Sequence, residues 1–71
     1  MENLDRYDEL LNLITGDVEI NGKYYNLKEE FEKFFIKDNV SAGIRIRKIM
    51  QEIRTKSKEI RKSIQERKKP L

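Results

Sequence analysis

Three consecutive heptads decide the fold: Ile46-Arg47-Lys48-Ile49-Met50-Gln51-Glu52, Ile53-Arg54-Thr55-Lys56-Ser57-Lys58-Glu59 and Ile60-Arg61-Lys62-Ser63-Ile64-Gln65-Glu66. Each opens Ile-Arg and closes on Glu. At about 100° per residue, Ala42, Ile46, Ile49, Met50, Ile53, Ile60 and Ile64 fall within a sector of about 100°. Arg47, Arg54, Lys58, Arg61 and Lys62 lie on one flank of that sector. Glu52, Glu59 and Glu66 lie on the other, partly neutralised by Lys48, Lys56 and Lys62. The pattern predicts one helix over 40–68, roughly 40 Å long at 1.5 Å per residue, with Pro70 marking its end. The second seam position degrades from Ile49 to Lys56 to Ser63, which argues against a long strict coiled coil.

Working outward, Lys37-Asp38-Asn39 breaks the helical pattern, and Asp38 or Asn39 is placed to cap the long helix. Before it, Leu27, Phe31, Phe34 and Phe35 form an aromatic stripe on a helix expected over 27–37. Core packing is the better reading of that stripe than base stacking. Asn26-Leu27-Lys28-Glu29 matches a capping box. Over 18–25 the period changes to two: Val18-Glu19-Ile20 and Lys23-Tyr24-Tyr25 flank Asn21-Gly22, a strong signal for a two-residue hairpin turn. Such a ribbon is not stable alone and must pack on a helix or another chain. Residues 2–15 read as a helix, with Leu4, Tyr7, Leu11 and Ile14 spaced 3, 4 and 3 apart and Leu10 and Leu13 widening the stripe. Gly16 is placed to end it as a left-handed cap.

The chain has 71 residues, 16 basic and 13 acidic, and neither Cys nor His. That length predicts a single small domain over 1–71 whose core is marginal for a lone monomer. Without Cys or His there are no disulfides, Cys/His zinc sites, thiol nucleophiles or imidazole bases. The three glycines, Gly16, Gly22 and Gly43, are isolated, so there is no phosphate-binding loop. The carboxylates read as solvated. A metal site from Glu29, Glu30 or Glu32 is the weaker interpretation. No apolar run approaches a membrane span, and the acidic Met1-Glu2-Asn3-Leu4-Asp5 is unlike a signal peptide. The expectation is a protein with no enzymatic activity, cofactor, metal, small-molecule substrate or membrane.

Charge is divided unevenly. Residues 1–40 carry five basic and ten acidic residues, net −5; residues 41–71 carry eleven basic and three acidic, net +8. A +8 half favours a polyanion. Arg45, Arg47, Lys48, Arg54, Lys58, Arg61 and Lys62 recur along one rod and are the candidate nucleic-acid contacts, arginine being able to fork onto phosphate oxygens. Ala42-Gly43 are small enough for a phosphate backbone to approach the helix start. The alternative is an interaction protein whose heptad helix packs on another protein, with the charges only conferring solubility.

The stretch Glu30-Phe31-Glu32-Lys33-Phe34-Phe35, followed by Lys37-Asp38-Asn39-Val40-Ser41-Ala42-Gly43-Ile44-Arg45-Ile46-Arg47-Lys48-Ile49-Met50-Gln51, resembles the bacterial histone-like nucleoproteins. These are the chlamydial-type linker-histone-like proteins and their short tail-less relatives. Ile60-Arg61, Ile64-Gln65 and Lys68-Lys69 fit the later part of that pattern. The resemblance covers about residues 29–69 and leaves 1–25 unplaced. It implies a chromatin-associated, cytoplasmic and nucleoid-located protein that binds double-stranded DNA with little sequence preference, and Arg45, Arg47 and Lys48 are the positions carried over. The long Lys/Ala-rich tail of the chlamydial members is missing, which weakens any expectation of strong compaction.

The reading is therefore mainly α: an N-terminal helix, a short hairpin, a short aromatic helix and a long basic C-terminal helix. Ile46, Ile49, Ile53 and Ile60 are the expected interface of a homodimer, since the two shorter helices look insufficient to cover a rod of this length.

Overall fold

A computed structural model describes residues 2–68. Lys69 and Pro70, the expected terminal lysine and helix stop, lie outside the described residues. Helix α1 spans Glu2–Thr15, strands β1 and β2 span Asp17–Ile20 and Lys23–Asn26, and helices α2 and α3 span Leu27–Phe35 and Val40–Lys68. The molecule is a rod of 51 × 18 × 18 Å, with α3 as its spine and α1 and α2 both packed against it.

The hairpin forms because Asn21 and Gly22 accept positive φ, 52° and 83°, as a two-residue turn requires. Its register pairs Val18 with Tyr25 and Ile20 with Lys23. Val18 and Ile20 share one face of β1 and settle on the core, so the ribbon is supported by helices of its own chain.

Asn26 joins three elements. Its side-chain oxygen accepts from the Lys28 and Glu29 amides, 3.1 and 3.4 Å away, capping α2. Its side-chain amide donates to the Thr15 and Gly16 carbonyls at 3.3 and 3.4 Å. Gly16 ends α1 by a route other than the expected left-handed cap: among the described residues, Gly22 is the one glycine with positive φ. A Cβ on Gly16 would instead meet the Asn12 side chain and lie 2.9 Å from the Asn12 carbonyl oxygen. Helix α2 stops at Phe35, two residues short of expectation. Asp38 takes a left-handed φ of 56°, which a short polar side chain tolerates and which turns the chain back. Asn39 is the residue that caps α3, its side-chain oxygen accepting from the Ala42 amide at 3.2 Å.

Leu27, Ala42, Ile46 and Ile49 are buried, with Val18, Ile20 and Ile53 packed around them. Each fully buried aliphatic side chain contributes roughly 1.5–3 kcal/mol. Ile46 and Ile49 were expected at an intermolecular interface. They are instead covered from within by α2 and the hairpin, because both short helices run antiparallel to α3 and divide its length between them. Ile53 and Ile60 are half-buried.

Helix α1 covers the C-terminal half of α3 with a polar lining. Glu9 accepts from Lys56 Nζ at 3.3 Å. Arg6 donates to the Glu59 carbonyl at 3.2 Å and to the Ser63 hydroxyl. The fading of the seam from Ile49 to Lys56 to Ser63 thus has a structural cause: the two polar positions face Glu9 and Arg6. The α1 residues half-buried toward α3 are Arg6, Leu10 and Leu13, while Leu4, Tyr7, Leu11 and Ile14 remain exposed.

Candidate nucleic-acid interface

Six of the seven candidate cations divide into two groups. Arg45 belongs to the fold. Its Nε donates to Glu30 Oε1 at 2.5 Å, and its guanidinium lies 4.5 Å from the centre of the Tyr25 ring, a cation–π contact. Lys33 Nζ donates to the other carboxylate oxygen at 3.1 Å. Glu30 is 1% exposed and Arg45 19%. A carboxylate buried in an apolar stretch was not expected from the sequence. Burial alone would push the Glu30 carboxyl up, but the Arg45 and Lys33 hydrogen bonds and charges outweigh it and hold the group below its ordinary value. It is therefore a permanent anion at neutral pH, unsuited to act as a general acid. Among the described residues no group of three or more acidic side chains is arranged to hold a metal.

The second group is exposed. Arg47, Arg54, Lys58, Arg61 and Lys62 all face solvent. By helical phase Arg47, Arg54, Lys58 and Arg61 share the side of α3 turned away from α1, whereas Lys62 stands at the edge of that side, in a cleft it lines with Arg6, Glu59 and Glu66. None of them is paired with an acidic side chain among the described residues. The acidic residues of this helix, Glu52, Glu59 and Glu66, fall on the flank beside α1. Lys48, the seventh, is exposed on the acidic flank, where it lines a cleft with Glu19 and Glu52. From Arg47 to Arg61 the row is about 21 Å long at 1.5 Å per residue. Helix α1, with four acidic residues against Arg6, is held behind the row.

Ala42 and Gly43 serve a different approach from the one expected. Ala42 is fully buried. A Cβ on Gly43 would lie 2.6 Å from Cε1 of Phe34. The close neighbour is thus the aromatic ring of α2, and Asn39 already satisfies the Ala42 amide.

The family model described as histone H1-like protein Hc1 matches residues 1–70. The chain belongs to this histone H1-like Hc1 family. The match reaches beyond the 29–69 region that carries the sequence resemblance and takes in the acidic helix and hairpin, so α1 and the ribbon are part of the Hc1 unit. No curated protein and no solved structure matches the chain. The site residue that sequence reasoning missed is Glu30. It sits at the seam spacing Leu27, Glu30, Phe34, where an acidic residue signals a buried pairing. Tyr25, beneath the Arg45 guanidinium, carries no comparable signal. No helix among the described residues is long and apolar enough to cross a membrane.

Proposed function

We propose that this Hc1-family chain is a non-catalytic, nucleoid-associated protein that binds double-stranded DNA through the phosphate backbone with little sequence preference. The observation that supports this most is the outward face of α3, where Arg47, Arg54, Lys58 and Arg61 stand exposed with no acidic side chain among them and Lys62 stands exposed at the edge of the row. With Lys48 they make about six phosphate contacts, so log affinity falls with log salt at a slope near −5. Phosphate contacts carry no base information, so scrambled duplexes compete equally. Fluorescence anisotropy on a labelled duplex at several salt concentrations tests this. Salt-independent binding, or preference for one sequence, would refute it.

We also propose that the chain acts as a homodimer. The support is a second seam on α3 that neither α1 nor α2 closes. Met50, Ile53, Ser57, Ile60 and Ile64 follow one another at spacings of three and four, the period of a helix–helix contact, and Met50 and Ile64 are exposed. Leu4, Tyr7, Leu11 and Ile14 repeat the same spacing on α1 and are also exposed. A second copy joining these stripes leaves the outward basic face free. Light scattering at micromolar concentration distinguishes a dimer from a particle of 8.6 kDa. A monomer there would favour a heterologous protein as the occupant of these stripes.

A further inference from the structure

The basic face of α3 runs, toward the helix N-terminus, into apolar side chains. Val40 and Ile44 meet Phe31, Phe34 and Phe35 around a cleft of about 400 Å³ whose lining includes Arg47. This cluster forms one end of the rod, at the turn between α2 and α3. Phe35, Ile36 and Val40 are 66%, 73% and 74% exposed. The cluster is ordered from beneath. Phe34 is seated on Gly43, and Phe35 meets Phe34 edge-on at 4.8 Å and Phe31 at 5.5 Å between ring centres. A cluster of large apolar side chains exposed at one end of the rod marks a contact surface.

We propose that this tip is a wedge for duplex DNA. With the outward face of α3 on the phosphates, Phe35 and Ile36 enter a base step and bend the duplex. The inference rests on the DNA-binding reading above and adds a mode to it. Arg47 links the two surfaces: it is the first cation of the basic row and also lines the apolar cleft. The remaining charges at this end, Lys33 and Lys37 against Glu32 and Asp38, offset one another, so approach of a polyanion is opposed by no net charge. Apolar wedges that unstack one step and kink the duplex by about 20–90° accompany backbone-binding cations in architectural proteins. Phe35 and Ile36 stand exposed beside the α2–α3 turn, whereas the exposed stripes on α1 and along α3 are long seams suited to another helix.

The test measures binding and bending on the same samples: anisotropy, and energy transfer between dyes at the two ends of a short duplex. The wild-type chain is expected to shorten the end-to-end distance on binding. The double variant Phe35→Ala/Ile36→Ser is expected to bind within about threefold at low salt, with an unchanged salt slope, and to leave the duplex straight. Both residues lie outside the buried core, so circular dichroism should remain native; Val40→Ser provides a second, independent variant with partial loss of bending. Binding without bending by the wild-type chain would overturn the wedge and leave the DNA-binding reading intact. Bending by the double variant equal to wild type, or a change in its particle mass showing that the tip contacts another copy, would also overturn it. No binding at all by the wild-type chain would overturn the reading on which the wedge depends.

Discussion

The two halves of α3 are covered in different ways. Over Val40 to Ile49 the helix is closed by α2 and the hairpin, through small residues, buried aliphatics and the fully engaged Glu30 carboxylate. Beyond Ile53, which still packs on the core, it is accompanied by α1 through partly exposed polar pairs such as Lys56 with Glu9. The buried core is therefore concentrated along one half of α3, and the other half is only partly covered. A chain of this length cannot bury a whole 29-residue helix, and burying one half leaves the other half for partners.

Substitutions can break this contrast. The largest effect is expected from Ile49→Ala, which opens a cavity in the closed half and should cost about 2–5 kcal/mol, read by chemical denaturation; Ile64→Ala, in the open half, should cost under about 1 kcal/mol in the monomer. Equal losses would show that the two halves do not differ.

Glu30→Gln comes next. It leaves the half-buried Arg45 without its charge partner, at a cost of about 2–3 kcal/mol. The pH dependence follows from the lowered carboxyl. The folded pKa lies below the unfolded one, so the stabilisation is complete above the unfolded carboxylate range and is lost as pH falls through the folded value. The wild type should lose stability on that acid limb, and the Gln variant should show a flatter one. Identical acid limbs would show that the Glu30 pairing contributes little.

A smaller effect is expected from Gly43→Ala. The new methyl meets the Phe34 ring, and displacing it should cost about 1–2 kcal/mol, against about 1 kcal/mol that Ala gains over Gly in a helix interior. Net destabilisation with altered Phe fluorescence is the expected outcome; a net gain in stability would show that the ring moves freely.

Much of this contrast was legible in the sequence, and the missing part has a physical reason. Asn21-Gly22 placed the hairpin turn, Asn26 the cap of α2, and the three heptads the long helix. Helical phase defines an apolar sector but not what covers it, so Ile46 and Ile49 looked like an intermolecular seam while their covering segments lay elsewhere in the chain. Arg45 looked like one more cation of the row because its partner, Glu30, is fifteen residues away and its burial is a tertiary property. Lys56 and Ser63 looked like decay of a repeat; they are matched to Glu9 and Arg6 on a helix about fifty residues earlier. The match of the Hc1 family over 1–70 agrees with that dependence of α3 on the N-terminal segment.

On the proposed function, the outward cations of α3, and not Arg45, meet the phosphates. The most direct measurement is the salt slope of duplex binding for Arg47→Gln/Arg54→Gln/Arg61→Gln beside the wild-type chain, with circular dichroism confirming the fold. Removing three of the six contacts should bring the slope from about −5 to about −3 without loss of helix. An unchanged slope in a natively folded triple variant would contradict the account.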